Sequence, residues 1–174
     1  INPLKSSDYK NYNFFCSTNL VFFLLRFILF KNRENKKFNL TKYLIYAALG
    51  TICDVMPLRG LNRYLSIEAI NSFNLNEDNA FSYILKFNKI NRKLTIDDLG
   101  YFIGPVLNSG GRLGKSKLAT KLLISEDKKE IEKISKELLY TNEKRKIIEE
   151  RQLEKIEGNI GLNKNYIFHI EEYI

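Results

Sequence analysis

The feature that constrains this chain most is the run at residues 14–30, which is nearly all apolar. It falls short of the ~20 residues that a bilayer crossing needs, and Ser17, Thr18, Asn19 and Arg26 interrupt it. Such a segment must be hidden from water. The reading is therefore a deeply buried helix from Leu20, with Ser17 or Thr18 as its N-cap. Burying it requires partner surface. The 174 residues suit one domain or a piece of one, and the 44% apolar and 13% aromatic content supplies a core. That composition excludes wholesale disorder, while 28% charged residues argue against a membrane-embedded protein.

The charge balance is basic: 28 Lys+Arg against 20 Asp+Glu, a formal net charge of +8. Such a balance leans towards a polyanionic partner, with nucleic acid first. Lys, Asn and Ile dominate the whole chain, so a uniform compositional bias accounts for the same charge. The two cysteines, Cys16 and Cys53, are far apart in sequence, which excludes a disulfide scaffold and a cysteine-based zinc site and fits a reduced, cytoplasmic setting.

Further along, 31–37 is a charged connection, read as a solvated loop or a phosphate-contacting patch. Thr41 caps a helix over 42–49, and another helix covers 61–73. Helix and turn fill 77–91. Thr95-Ile96-Asp97-Asp98 resembles a capping box whose acidic side chain reaches back to the Thr95 amide. The helix it opens is expected to end at Gly104-Pro105, followed by a glycine-rich turn over 108–114 and an apolar helix near 118–124. Ser125 caps a long charged helix over about 126–157, with Ile131, Ile134, Leu138 and Ile148 on one face. Tyr140, Arg145 and Gln152 break any sustained heptad, so no coiled-coil dimer is expected. The chain opens on Ile1 and closes near a short apolar strand at Tyr166-Ile167-Phe168-His169-Ile170, and it reads as an internal piece of something longer. The one histidine, His169, receives no role.

Two places offer chemistry. Asp54 stands among Ile52, Cys53, Val55 and Met56, where desolvation is expected. A buried carboxylate needs a cation, a basic partner or several donors. The alternatives are a helix-end cap or salt bridge with Arg59 or Arg63, and a ligand for a hard divalent cation such as Mg²⁺ or Mn²⁺. The second place is 108–114. Its three glycines can turn backbone amides inward as an anion nest, with Arg112 as a fork for phosphate. The alternative is a plain turn between helices. Gly114-Lys115-Ser116 is not a P-loop, because the first glycine of that motif falls at Ser109.

Taken in order, these residues resemble the RecJ family of single-stranded-DNA-specific exonucleases, within the DHH phosphoesterase superfamily. Ile1-Asn2-Pro3 resembles the segment after the family's Asp-His-His motif. Ala48-Leu49-Gly50-Thr51-Ile52-Cys53-Asp54-Val55-Met56-Pro57-Leu58 with Asn62-Arg63 resembles one block of the family, and Ile103-Gly104-Pro105-Val106-Leu107-Asn108-Ser109-Gly110-Gly111-Arg112-Leu113-Gly114 resembles another. Asn142, Arg145 and Glu149 are in step with the family's connecting helix.

The resemblance implies an α/β parent domain, of which residues 1–125 are the later, helix-rich part. This span is then mostly α. Residues 126–158 form a connector helix, and 159–174 begin a downstream glycine-rich DNA-binding module. It implies a metal-dependent hydrolase, using Mn²⁺ or Mg²⁺, that removes nucleotides from single-stranded DNA in the 5′ to 3′ direction in recombination and repair. Asp54 matches the last metal-binding aspartate of the family. Asn108, Gly110, Gly111 and Arg112 match the motif set against the substrate phosphate, and Lys115 and Lys117 suit the strand's backbone. The family's other Asp and His ligands are not in this sequence, Val106 stands where a basic residue is frequent, and Ser109-Gly110 replaces a small alanine pair. The implied partners are single-stranded DNA and a complementary fragment carrying the missing ligands, with no membrane. Without that fragment the span is expected to be inactive. The alternative is a non-catalytic, basic helical module that binds nucleic acid.

Overall fold

Residues 14–30 form a helix, but not a deeply buried one. The computed structural model describes Lys5 and residues 14–32, 38–112 and 114–159. Helix α1 (Ser17–Lys31) begins after an extended Cys16 and has no side-chain cap. Thr18 is turned instead onto Gly50, where a Cβ would lie 2.6 Å from the Thr18 hydroxyl. Asn19 and Phe22 are buried, whereas Val21, Leu24, Leu25, Phe27, Ile28 and Phe30 are exposed, Phe30 at 71%. The correction has a simple cause. Apolar side chains encircle this helix, while the described elements cover one stripe of it, through a small cluster of Phe22, Ala47 and Leu65. No described helix is long and apolar enough to cross a membrane.

The remaining elements follow in order. A 3₁₀ turn (Leu40–Tyr43) leads into α2 (Leu44–Cys53), then come α3 (Gly60–Ser72) and α4 (Ala80–Phe87). A π-helical segment (Asp98–Ile103) runs into α5 (Gly104–Arg112), followed by α6 (Lys117–Ile124) and α7 (Lys128–Asn159). Among the described residues there is no strand, so the span is helical. Asn39, not Thr41, caps the 3₁₀ turn, its carbonyl oxygen accepting from the Thr41 amide at 2.9 Å. Likewise Asn79 accepts from the Ser82 amide at 3.0 Å and starts α4. The main core is built from Phe81, Ile84 and Leu85 of α4, Leu99 and Ile103 of the π segment, Val106 of α5, and Ile131, Ile134 and Leu138 of α7. The face expected from spacing on α7 is thus the buried one, although Ile148 is covered in part only. That helix starts at Lys128 instead of Glu126. Asp127 accepts from the Lys129 amide at 3.0 Å, while the Ser125 hydroxyl reaches Glu130 at 2.6 Å and caps nothing. The stretch at 166–170 lies outside the described residues.

The capping box at Thr95 is formed. Asp98 accepts from the Thr95 amide and hydroxyl, both at 2.8 Å, and the Thr95 hydroxyl accepts from the Asp98 amide at 3.3 Å. Arg92 adds a bidentate pair at 2.6 and 2.8 Å. The element that this box opens does not stop at Gly104-Pro105. Pro105 follows directly on the π turn, whose wider winding accommodates a residue with no N–H within a continuous helical run.

Two outcomes follow from this packing. The Phe27→Ser/Phe30→Ser double variant should keep the helix content and bind less of a hydrophobic fluorescent dye, measured by circular dichroism and dye emission. Donation from Arg92 and Thr95 outweighs burial and holds the Asp98 carboxyl below its ordinary value. Its stabilising effect is therefore present above the unfolded value of ~3.9 and is lost as pH falls through the lower, folded value. Asp98→Asn should cost about 1 kcal/mol at neutral pH by the scale of a lost cap, and should flatten the acid limb of denaturant-monitored stability.

Candidate phosphate and metal site

Asp54 closes α2 as its C-cap residue. The Met56 amide bonds back to the Thr51 carbonyl at 2.9 Å and the Val55 amide to the Ile52 carbonyl at 3.1 Å, the paired bonds of a Schellman ending. Glycine usually fills the left-handed position of that motif. Here it is Val55, at φ 53, a strained conformation for a β-branched residue. The chain after α2 is held against this strain by Asn62, fully buried in α3, whose amide donates to the Pro57 carbonyl at 3.1 Å and to the Phe14 carbonyl at 2.7 Å. Asn19 of α1 in turn donates to Asn62 and to Thr51, both at 2.9 Å. Nothing in residue spacing pointed to this buried polar clamp, apart from Asn19 and Thr51 standing inside apolar stretches.

The expectation of a desolvated Asp54 is corrected: the residue is exposed. The flanking apolar residues divide, Ile52 facing inward while Val55 stands 86% exposed. No ion pair joins Asp54 to Arg59 or Arg63 among the described residues. Arg59 instead lies over the Phe14 ring at 5.1 Å. Asp54 is thus an accessible carboxylate at a fixed helix end.

The 108–114 turn is also corrected. Residues 108–112 are the last turns of α5, so their amides are committed to helical bonds and cannot form the expected nest. The negative end of the helix dipole points the same way and disfavours an anion. What remains is side-chain chemistry: Asn108 and Arg112 are exposed one turn apart, and Gly111 leaves open space beside them. Gly110 has a different duty. A Cβ there would sit 2.8 Å from the Lys115 carbonyl and 3.1 Å from Leu138, so its bare backbone lets α5, the 114–116 loop and α7 close together. Gly114 then turns the chain at φ +75. Beyond it, a depression of about 410 Å³ is lined by Gly114, Lys115, Ser116, Lys117, Leu118 and Glu137. Lys115 is paired with Glu137 at 2.6 Å, and Lys117 is exposed.

Helix α5 relates the two places. The Cys53 sulfur, next to Asp54, lies 2.6 Å from where a Cβ on Gly104 would stand, at the start of α5. Arg112 closes the same helix eight residues later, a rise of about 12 Å. On α7, Glu149 takes Arg145 at 2.5 Å, as their i,i+4 spacing allows, and the same oxygen faces Arg112 at 3.6 Å, a contact that spacing did not reveal. For a divalent cation, Asp54 is a suitable hard oxygen donor, but a single carboxylate leaves most of the coordination shell empty. No three His, Cys, Asp or Glu residues converge among the described residues. Among the described residues, Asp54 by itself does not complete a metal site.

No family model matches the chain. Comparison with curated proteins finds the single-stranded-DNA-specific exonuclease RecJ of Escherichia coli strain K12, 33% identical over 114 residues, or 64% of this chain. The chain is RecJ-like. It spans about a fifth of the length of the curated RecJ relatives it matches. The fold agrees: the crystal structure of RecJ with Mn²⁺ from Thermus thermophilus has a TM-score of 0.62 at 28% identity, covering 68% of this chain and 18% of that one. The Mg²⁺ structure from the same organism has a TM-score of 0.59 at 30% identity, covering 67% of this chain and 18% of that one. Both RecJ structures were determined with the hard divalent cations expected from the RecJ-like blocks.

If the close approach at Gly110 is what joins α5 to α7, Gly110→Ala should lower unfolding free energy by about 1–3 kcal/mol, the scale of an overpacked core, while Gly111→Ala changes it by less than about 1 kcal/mol. Urea denaturation of the two variants checks this.

Proposed function

We propose that this chain is a fragment, carrying the substrate-phosphate residues, of a RecJ-type, metal-dependent exonuclease that degrades single-stranded DNA from 5′ to 3′ in recombination and repair. The observation that carries the reading is that sequence and fold each agree with RecJ, over 64% and 68% of the chain respectively. In this reading residues 1–125 belong to an α/β DHH domain, 126–158 connect it onward, and 159–174 open a DNA-binding module, all within the cytoplasm. Asp54 supplies one oxygen to Mn²⁺ or Mg²⁺. Asn108 and Arg112 bind the phosphate through their side chains, and Gly111 keeps the backbone bare so that the strand can approach. A bound divalent ion supplies Lewis-acid activation of water and of the phosphate.

The chain's own residues bind and orient. Arg112 fixes a phosphate by two parallel N–H donations, Asn108 contributes an amide donor one turn away, and Lys117 attracts the next phosphates along the strand. The remaining Asp and His ligands come from a complementary polypeptide. The expected result has three parts. With Mn²⁺ and 5′-labelled single-stranded DNA, the chain alone releases no nucleotide. Addition of a polypeptide bearing the RecJ Asp-x-Asp and Asp-His-His ligands restores release, and Asp54→Ala abolishes the restored activity. Release by the chain alone refutes the division of the site between two polypeptides. DNA binding without hydrolysis in the complemented mixture favours the non-catalytic module instead.

A further inference from the structure

The cluster on α7 that faces Arg112 is not used by the reading above. Asn142 is buried, at 2% exposure, and its side-chain oxygen accepts from Arg145 Nε at 3.2 Å. Arg145 is itself largely covered, its side chain 18% exposed, and its Nη1 donates to Glu149 Oε1 at 2.5 Å. That same oxygen stands 3.6 Å from Nη1 of Arg112, whose side chain is 65% exposed. The order of burial runs one way, from an anchored amide, through a half-hidden guanidinium and a carboxylate, to a guanidinium in solvent. An exposed pair at 3.6 Å adds little to stability. The arrangement therefore needs another account.

We infer that Glu149 is a positioning residue: Asn142 and Arg145 hold its carboxylate still, and the carboxylate steers the exposed Arg112 guanidinium into the orientation that receives a DNA phosphate. Two guanidinium groups share one carboxylate, so the cluster retains one unneutralised positive charge at its solvent end. The long contact engages one nitrogen of Arg112, which leaves the rest of the fork for two parallel bonds to phosphate oxygens. A lone arginine on a helix end samples many rotamers, and holding it in one reduces the ordering cost on binding. The inference rests on the proposed role of Arg112 and deepens it.

The sign of one substitution separates this role from plain electrostatics. Removing a negative charge from a basic surface should tighten DNA binding if charge alone matters. If Glu149 positions Arg112, Glu149→Ala should weaken binding despite the gain of net positive charge. Anisotropy of a fluorescein-labelled oligothymidylate, titrated with the full chain at low salt, reads the difference. Arg112→Ala should lose about tenfold in affinity, the scale of one charged hydrogen-bonded contact. Glu149→Ala should lose several-fold, and Glu149→Gln, which keeps an acceptor oxygen, should recover most of the loss. In the Arg112→Ala background, Glu149→Ala should have no further effect, whereas damage to the fold would weaken both backgrounds alike. Tighter binding by Glu149→Ala, or an equal loss in both backgrounds, overturns the positioning role while leaving Arg112 as a phosphate contact. Unchanged affinity for Arg112→Ala, or no binding by the unaltered chain, overturns the phosphate reading and the relay together.

Discussion

Helix α5 is held at both ends by contacts that a side chain would forbid. At its start, Gly104 admits the Cys53 sulfur of α2, and near its end, Gly110 admits the Lys115 carbonyl and Leu138 of α7. Between them, Val106 is fully buried in the main core and Leu107 nearly so. Because α5 is gripped in this way, the separation of its termini becomes a fixed distance between Asp54, next to Cys53, and Arg112. The rest of the candidate site inherits its spacing from that grip. A helix free to shift along its neighbours would not keep a carboxylate and a guanidinium in register.

The end of α2 illustrates how strain is retained where chemistry is proposed. Val55 occupies a left-handed position that costs a β-branched residue on the order of 1–3 kcal/mol. The buried Asn62 amide ties the following Pro57 carbonyl down, and Asn19 and Thr51 complete the hydrogen-bonded set. Hydrogen bonds in a dry interior are worth more than on the surface, and leaving them unmade is expensive, so the set over-determines the loop geometry. The result is an accessible Asp54 on a backbone that has few alternatives.

How much could be read in advance differs by kind of signal. The Thr95–Asp98 box, the helix over 60–72 and the buried face of α7 were legible, since each depends on neighbours within four residues. The state of 108–112 was not. Glycines and an asparagine favour a turn locally, yet here the close packing against α7 and the 114–116 loop keeps the helix going. The exposure of α1 was likewise hidden, because an all-apolar helix states that cover is needed without stating where it is. For the candidate site, Asp54, Asn108 and Arg112 were singled out by two RecJ-like blocks; the solvation of Asp54 and the partner of Arg112 were not legible.

Sequence alone therefore determined the chemistry on offer: one hard carboxylate, a guanidinium beside glycines, and a basic surface. These depend on residue identity, which folding cannot change. Tertiary structure decided that the amides at 110 and 111 are spent, that the Asp54 carboxylate faces solvent, and that Glu149, thirty-seven residues beyond Arg112, is its neighbour. Each of those facts depends on which distant backbones come within reach, and a one-dimensional pattern carries no measure of that distance.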